Sequence, residues 1–586
     1  MKSILPTLLI IMIIMSCTKH KKTQGQADVT SEIASNDTFK KWWKEGVLYQ
    51  IYPQSFNDTD GDGFGDFRGV IEKLDYLERL GITMVWMNPF FESPLVDNGY
   101  DVSNYKAIHP RYGTMDDFQE MMDGMQARGI KFVLDVVVNH SSNEHEWFKQ
   151  ACSSRDNKYY NYYHWWPAEK GKPPHRHSLF DPEGGWDYVE SNNSYYLHTF
   201  AEEQPDLNWE NPKVRQEVYD IMKFWAKKGV NGFRMDAFQF VSKDTTFPQF
   251  PKGHEKDFAK WYGMGPHLHD YLKEMYNEVI EPYNVFAVAE GAGSTFQDAH
   301  DLVDADRNEL QTAYHFDYVG LSRTPEGYTL SEFKEVFTKW DREFAEEGWL
   351  AIFLSNHDNS RLVNRFGNPS PEFRRVSTQM LNTFLLSMRG TPYTYYGDEL
   401  GMTNIDMPSI EEYVDVSAIG EYGMAKARGE DMEAFMKTLN YNSRENARTP
   451  MQWDDSQNAG FTTGIPWKRV NDNYTSINVA AQEKDPNSVL NHFKKMVKLR
   501  KDNEVLVYGA YTLLDKDNEE VYSFTRTLDD QKVLVLLNFT DHESEVTLPL
   551  IENTGEILIN NYEDLVTKAN TVNLKPYQAV IISMNH

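Results

Sequence analysis

Eight short apolar, β-rich runs recur along the chain: VLYQIYPQSF, ITMVWMNPF, IKFVLDVVV, VNGFRMDA, VFAVAEG, YHFDYVG, AIFLSN and TPYTYYGDE. Between several of them lie amphipathic helical stretches, such as DFRGVIEKLDYLERLG before Ile82 and TMDDFQEMMDGMQARG before Ile130. Strands that alternate with helices pair in parallel, and a set of this size closes on itself. The pattern therefore predicts an α/β fold, a (β/α)8 TIM barrel with its helices outside. The alternative, an open doubly wound sheet, calls for a Gly-rich phosphate loop after the first strand, and none is found there.

The alternation breaks in two places. The third run ends near Val138 and the fourth starts near Gly229, and the interval holds KYYNYYHWWPAEKGKPPHRHSLFDPEGGWDY. Its aromatics, prolines and glycines predict an irregular excursion, read as a small inserted domain over residues 139–211. Within it His175-Arg176-His177 reads as solvated surface. After Asn503 the helices stop, and VYGAYTLLD, EVYSFTRTL, KVLVLLNF, ESEVTLPL and YQAVIISM predict a C-terminal antiparallel β-domain over 504–586. The barrel takes 40–138 and 212–503.

A length of 586 residues suits such a multidomain chain, and the net charge of −29 argues against a nucleic-acid surface, because phosphates would be repelled. With Cys17 and Cys152 as the only cysteines, no disulfide framework is expected. The start, MKSILPTLLIIMIIMSC, joins one Lys to an apolar run too short for a comfortable membrane span. It reads as an export signal, and its ending at Cys17 resembles a bacterial lipoprotein signal. The expectation is an exported protein, lipid-anchored in the periplasm or at an outer membrane, with residues 1–39 as signal and polar tether.

Charged residues gather at the predicted strand ends. Asp135, Asp236, Glu290 and Asp358 sit at or just past the ends of the third, fourth, fifth and seventh runs, with His140 and His357 close by. In a barrel these ends converge on one mouth. Alone, each carboxylate reads best as a helix cap or a satisfied ion pair; together, desolvating several like charges without a function is improbable. Glycosidic bond cleavage uses such a set, one carboxylate attacking the anomeric carbon and a second carboxyl protonating the leaving oxygen. Arg234 shares a strand face with Asp236 and is expected to hold it ionised. Glu290, after an apolar strand, is expected to have a raised pKa, so that the two carboxyls shift in opposite directions.

The loop after the first run, DTDGDGFGD, sets oxygen donors at alternating positions: Asp58, Asp60, Asp62, the Phe64 carbonyl and Asp66. This opens like a calcium loop, but Gly69 stands where a bidentate Glu would complete it, so a partial shell finished by water is expected. The plainer reading is an Asp-Gly turn that caps the next helix.

The blocks DVVVNH, GFRMDAF, FAVAEG and FLSNHD resemble the conserved blocks of the α-amylase superfamily, glycoside hydrolase family 13. QPDLNW (Gln204 to Trp209) and NARTPMQWDDSQNAGFTTG (Asn446 to Gly464) resemble its oligo-1,6-glucosidase and α-glucosidase branch. The resemblance implies a retaining mechanism with Asp236 as nucleophile, Glu290 as general acid/base and Asp358 fixing the distorted sugar. It further implies that Asp97 and Arg448 pair to close a blind pocket, that Tyr100 stacks beneath the sugar ring, that His140 and His357 bind hydroxyls, and that Asp135 orients Arg234, with Asp101 supporting the pocket. The branch also carries a structural Ca²⁺ or Mg²⁺ in its first loop. Ala237, after the nucleophile, leans towards α-1,4 linkages, whereas the rest of the chain resembles the α-1,6 branch. Two other readings stay open: a glucosyl-transferring or isomerising relative, and a non-catalytic transporter partner, which the retained carboxylates speak against.

Overall fold

The computed structural model describes residues 41–584; the leader, Cys17 and the tether lie outside the described residues. The barrel strands are β1 (Leu48–Ile51), β2 (Met84–Met87), β3 (Lys131–Val137), β4 (Gly232–Asp236), β5 (Phe286–Glu290), β6 (Thr312–Tyr314), β7 (Ala351–Ile352) and β8 (Thr391–Tyr395). They are buried along almost their whole length, as parallel strands covered on both faces are. The order is β6-β5-β4-β3-β2-β1-β8-β7, and a parallel bridge between Ala313 and Leu350 joins the two edges. The barrel is thus closed, most weakly between β6 and β7.

Two local readings need correction. The sixth strand ends at Tyr314, where the run YHFDYVG begins; Asp317–Gly320 forms a 3₁₀ turn instead. Its apolar side chains are used for packing, with Tyr318 stacked on Phe337 at 5.7 Å, and not for strand pairing. DFRGVIEKLDYLERLG breaks into two helices, Phe67–Glu72 and Leu74–Leu80, hinged at Lys73. The helix Met115–Ala127 keeps its predicted face, burying Phe118, Met121, Met122 and Met125 under a capping box of Thr114 and Asp117.

Between β3 and β4 lies a three-stranded antiparallel sheet (Trp165–Pro167, Trp186–Val189 and Ser194–Leu197), and bridges from His140 to Asp206 and from Tyr163 to Leu207 tie this excursion back on itself. Arg176 departs from the solvated reading: it is buried, with its guanidinium 4.1 Å over the Phe250 ring and donating to the Pro248 carbonyl. Beyond Ala510 the chain forms a five-stranded and a three-stranded antiparallel sheet. A further excursion follows β8, with helices Val416–Arg428 and Met432–Asn442 around a small core of Ile405, Met407, Tyr413, Ala418 and Leu439. Among the described residues no helix is long and apolar enough to cross a membrane.

Candidate active site

Strand register places the first charges. Asp135 on β3 is paired with Arg234 on β4, and Val137 with Asp236, so Arg234 emerges beside Asp135 and two residues below Asp236. Its Nη1 donates to Asp135 Oδ1 at 2.9 Å and to Asp236 Oδ1 at 2.5 Å, its Nη2 to Glu290 Oε1, and its Nε to the Tyr314 hydroxyl at 3.2 Å. One fully buried guanidinium thus holds three carboxylates. The other Glu290 oxygen accepts the Ala237 amide at 2.7 Å. Ala237 sits in the left-handed region, φ 50°, which turns its N–H towards Glu290. A β-branched residue adopts that conformation only under strain.

This sharing overturns the expectation that Asp236 and Glu290 shift in opposite directions. Burial and the Glu290 charge push Asp236 well up, and burial likewise raises Glu290. Arg234 pulls both down, but its single charge is divided among three partners. Burial and mutual repulsion therefore raise both carboxyls, and the two titrate as an interacting pair.

Around the pair runs a fixed polar chain. The Tyr100 hydroxyl donates to Asp135 Oδ2 at 2.9 Å and accepts from Asn88 Nδ2 at 2.7 Å. Gln50 Nε2 donates to Asn88 Oδ1 and to His357 Nδ1, which places the His357 proton on Nε2, 2.8 Å from the Tyr100 hydroxyl and 3.1 Å from Asp358 Oδ2. Burial holds His357 well below its usual pKa and so neutral. Its ring stacks on Tyr100, centroids 5.5 Å apart and 9° from parallel. His140, also buried and pushed down to about 4, meets Gln204 Nε2 at 3.1 Å and packs on Phe200 at 4.9 Å.

The far wall departs from the sequence reading. Asp97 does not pair with Arg448; its Oδ1 accepts from Arg444 Nη2 at 2.9 Å. Arg444 also donates to Asp358 Oδ1 at 3.1 Å and to Asp415 Oδ1 at 2.8 Å. Arg448 lies one layer deeper, donating to Asp415 Oδ2 at 2.7 Å, to Asp358 Oδ1 at 3.2 Å and to the His357 carbonyl. The reason is local: Arg444–Asn446 forms a 3₁₀ turn, which sets the two arginines at different depths. Burial raises Asp358, but the Arg444 and Arg448 charges, with the neutral His357 Nε2–H 3.1 Å away, outweigh it, so this carboxylate is held well below the usual range. Asp97 is pushed by burial up to about 6 despite Arg444. Asp101 accepts the Val96 and Asp97 amides, both at 3.0 Å, and so fixes the Asp97 turn.

Arg444, Asp415, Gln204 and Gln50 are site residues that sequence reasoning missed. Arg444 stands four residues before Arg448 and Gln204 opens the QPDLNW block, so both carried a signal; Asp415 carried none. A cavity of about 200 Å³ adjoins Asp358 and Arg444, bordered by Arg323, Asn359, Glu421 and Asn442.

In the first loop, Asp58, Asp60 and Asp66 present carboxylate oxygens within 4.8 Å of one another. Asp62 is not in that group: it is exposed, and its Oδ1 caps the Phe64 amide at 2.8 Å. The Phe64 ring lies under Arg111, 3.5 Å from the guanidinium, and stacks on Trp467. Asp58 and Asp66 also accept backbone amides and bond Thr462 and Thr59, so the helix-capping reading holds for Asp66, which accepts from Gly69.

A model of the α-amylase catalytic domain matches residues 50–509, and one of the SusG-type α-amylase C-terminal domain matches 521–581. The chain belongs to the α-amylase family. It is a glycoside hydrolase of that family. An oligo-1,6-glucosidase of Parageobacillus thermoglucosidasius is 45% identical over 551 residues, covering 92% of this chain and 98% of the relative. An α-glucosidase of Schizosaccharomyces pombe is 40% identical, covering 93% and 98%. Among solved structures, an isomaltulose synthase from Klebsiella sp. LX3 superposes with a TM-score of 0.91 at 40% identity, over 93% of this chain and 100% of that one.

Proposed function

We propose that this glycoside hydrolase is an exo-acting, retaining α-glucosidase that releases glucose from the non-reducing end of short α-glucans. The observation that carries the reading is the Asp97–Arg444–Asp358 contact, which walls off one end of the site beside the Asp236–Glu290 pair. In this mechanism Asp236 attacks the anomeric carbon while Glu290 protonates the leaving oxygen; Glu290 then takes a proton from a water whose oxygen bonds that carbon as its bond to Asp236 breaks, which releases glucose with its configuration retained. Arg234 holds both carboxyls in place through the two steps. Asp358, kept ionised, and the neutral imidazoles of His357 and His140 bind the sugar hydroxyls, with Tyr100 beneath the ring.

Ala237 favours α-1,4 bonds, and the names of the oligo-1,6-glucosidase relatives favour α-1,6. The isomaltulose synthase likeness supports isomerisation as a second reading. Product analysis on maltose, isomaltose, panose, sucrose and trehalose tests all three. Glucose released from the first minutes of maltotriose or isomaltotriose digestion is expected; random shortening of starch, or sucrose returned as an isomer without net glucose, would sink the main reading.

The coupled pair predicts a bell-shaped pH dependence of kcat/KM. Activity falls in acid as the pair takes up a second proton and Asp236 is neutralised, and in base as Glu290 loses its own. With a substrate whose leaving group needs no protonation, Glu290→Gln should abolish the basic limb and keep the acid one. A basic limb that persists unchanged in the variant would remove Glu290 from the acid role.

The oxygen-only donor set of Asp58, Asp60 and Asp66 fits a hard cation, Ca²⁺ or Mg²⁺, held with water. Its role is structural, joining the first loop to the segment around Thr462 and Trp467; Trp467 packs on Tyr52, which lies beside His357. Adding Ca²⁺ or Mg²⁺ to metal-free protein should raise Tm in the wild type and not in Asp58→Asn; an equal rise in both proteins would refute the site. Cys17 is proposed as the lipid attachment point, to be checked by whether Cys17→Ser protein leaves the membrane fraction.

A further inference from the structure

Glu421 and Arg323 face each other across the cavity of about 200 Å³ beside Asp358 and Arg444, and neither has a part in the chemistry above. Three segments at the barrel mouth wall this cavity. Arg323 comes from the loop after β6, Asn359 from the loop after β7, and Ser417, Glu421 and Asn442 from the helices after β8. Asp97, Tyr100, His140 and Gln204 do not border it, so it lies across Arg444 from the blind end of the sugar pocket.

The helix that carries Glu421 is set in place by the residue before it. Gly420 lies on Val416–Arg428, and a Cβ there would meet the Phe180 carbonyl oxygen at 2.4 Å, so a side chain would push the helix off the inserted domain. Phe180 in turn lies beneath the Arg444 guanidinium at 5.4 Å. Glu421 is thereby held at the mouth, where one carboxylate oxygen accepts from Ser417 Oγ at 3.1 Å, one helical turn back. It has no ion pair among the described residues, and neither has Arg323, whose Nε donates to the Val319 carbonyl at 3.2 Å. The two lie within each other's electrostatic reach without touching. Opposite charges held apart across a gap suit a ligand that offers both lone pairs and hydroxyl protons, which describes a sugar and not an ion or an apolar group.

The loop after β6 decides which sugar. Phe316, 40% exposed, stands against Gly291, where a Cβ would lie 3.0 Å from its ring, and so marks the flank of Glu290. From Phe316 the chain runs through the Asp317–Gly320 turn to Arg323. One loop thus borders both Glu290 and the cavity, and the sugar on the oxygen that Glu290 protonates extends along it. We propose that Glu421 and Arg323 determine leaving-group specificity, gripping hydroxyls of the departing sugar from opposite sides so that a pyranose is favoured over an apolar leaving group. This rests on the α-glucosidase reading and assigns the far side of that site to two residues outside the reacting pair.

The test is the ratio of kcat/KM for maltose or isomaltose to kcat/KM for p-nitrophenyl α-glucoside, whose leaving group has no sugar hydroxyls. In Glu421→Ala, and separately in Arg323→Ala, this ratio should fall about 10- to 100-fold for at least one disaccharide, as loss of one charged hydrogen bond predicts. Glu421→Gln, which keeps an acceptor oxygen, should recover part of the loss. The ratio does not depend on the fraction of folded enzyme, so a general structural defect would leave it unmoved. A ratio unchanged in either alanine variant would overturn the shared grip. Wild-type turnover of sucrose or trehalose in place of the two glucose disaccharides would end the α-glucan reading by itself, and the same ratio measured with that sugar would still decide the role of Glu421 and Arg323.

Discussion

Asp236→Asn should reduce kcat by at least about 10⁴-fold while leaving the fold intact, because a nucleophile's loss removes the covalent route and not merely an interaction. The amide is isosteric and still accepts from Arg234, so the wall of the barrel is undisturbed. Two readouts make the test specific. Circular dichroism and Tm should stay close to wild type, since the buried pair becomes less crowded with charge. Azide added to Asp236→Gly should enter from the vacated face and yield β-glucosyl azide, the product of attack opposite the α-leaving group. Substantial hydrolysis by Asp236→Asn, or azide product of α configuration, would remove Asp236 from the nucleophile's role.

The second large effect concerns Arg444. It holds Asp97, Asp358 and Asp415 at once, and of these Asp358 and Asp415 retain Arg448 when it is removed, whereas Asp97 retains only Gln204. Breaking a buried pair by deleting one partner costs about 3–5 kcal/mol, so Arg444→Ala should lower kcat/KM by about 10² to 10³-fold. Much of the loss should appear in KM, because the sugar's non-reducing end loses its grip. Opening that end should also let products longer than glucose appear from maltotetraose. Arg444→Lys should rescue little, since one ammonium cannot span three carboxylates as a planar fork does. Arg448→Ala leaves the Asp97–Arg444 contact standing and should keep strict glucose release. If Arg448→Ala opened the pocket and Arg444→Ala did not, the pairing first read from the sequence would be restored.

That pairing shows where legibility ended. The barrel strands were visible because each is an apolar run between helical periods, and Asp135, Arg234, Asp236 and Glu290 followed from their places at strand ends. The sixth strand was misplaced because an aromatic run packs as well in a turn as in a sheet. Asp97 was assigned to the wrong arginine because two arginines four residues apart look equivalent on paper. Only the 3₁₀ turn at Arg444–Asn446 sets one at the pocket wall and the other beneath it. Asp415 was invisible, since it enters from the helical excursion after β8, near in space to Arg448 but 33 residues away.

The sequence by itself determined the strand-helix alternation, the α-amylase family and which carboxylates stand at the barrel mouth, because these depend on residue type and on periodicity along the chain. The tertiary structure decided which charges share which partners. Arg234 divides one charge among three carboxylates, so the expected split between Asp236 and Glu290 became a common rise. Electrostatic energy depends on distance and on exclusion of water, and both are set by elements that meet from far apart in the chain.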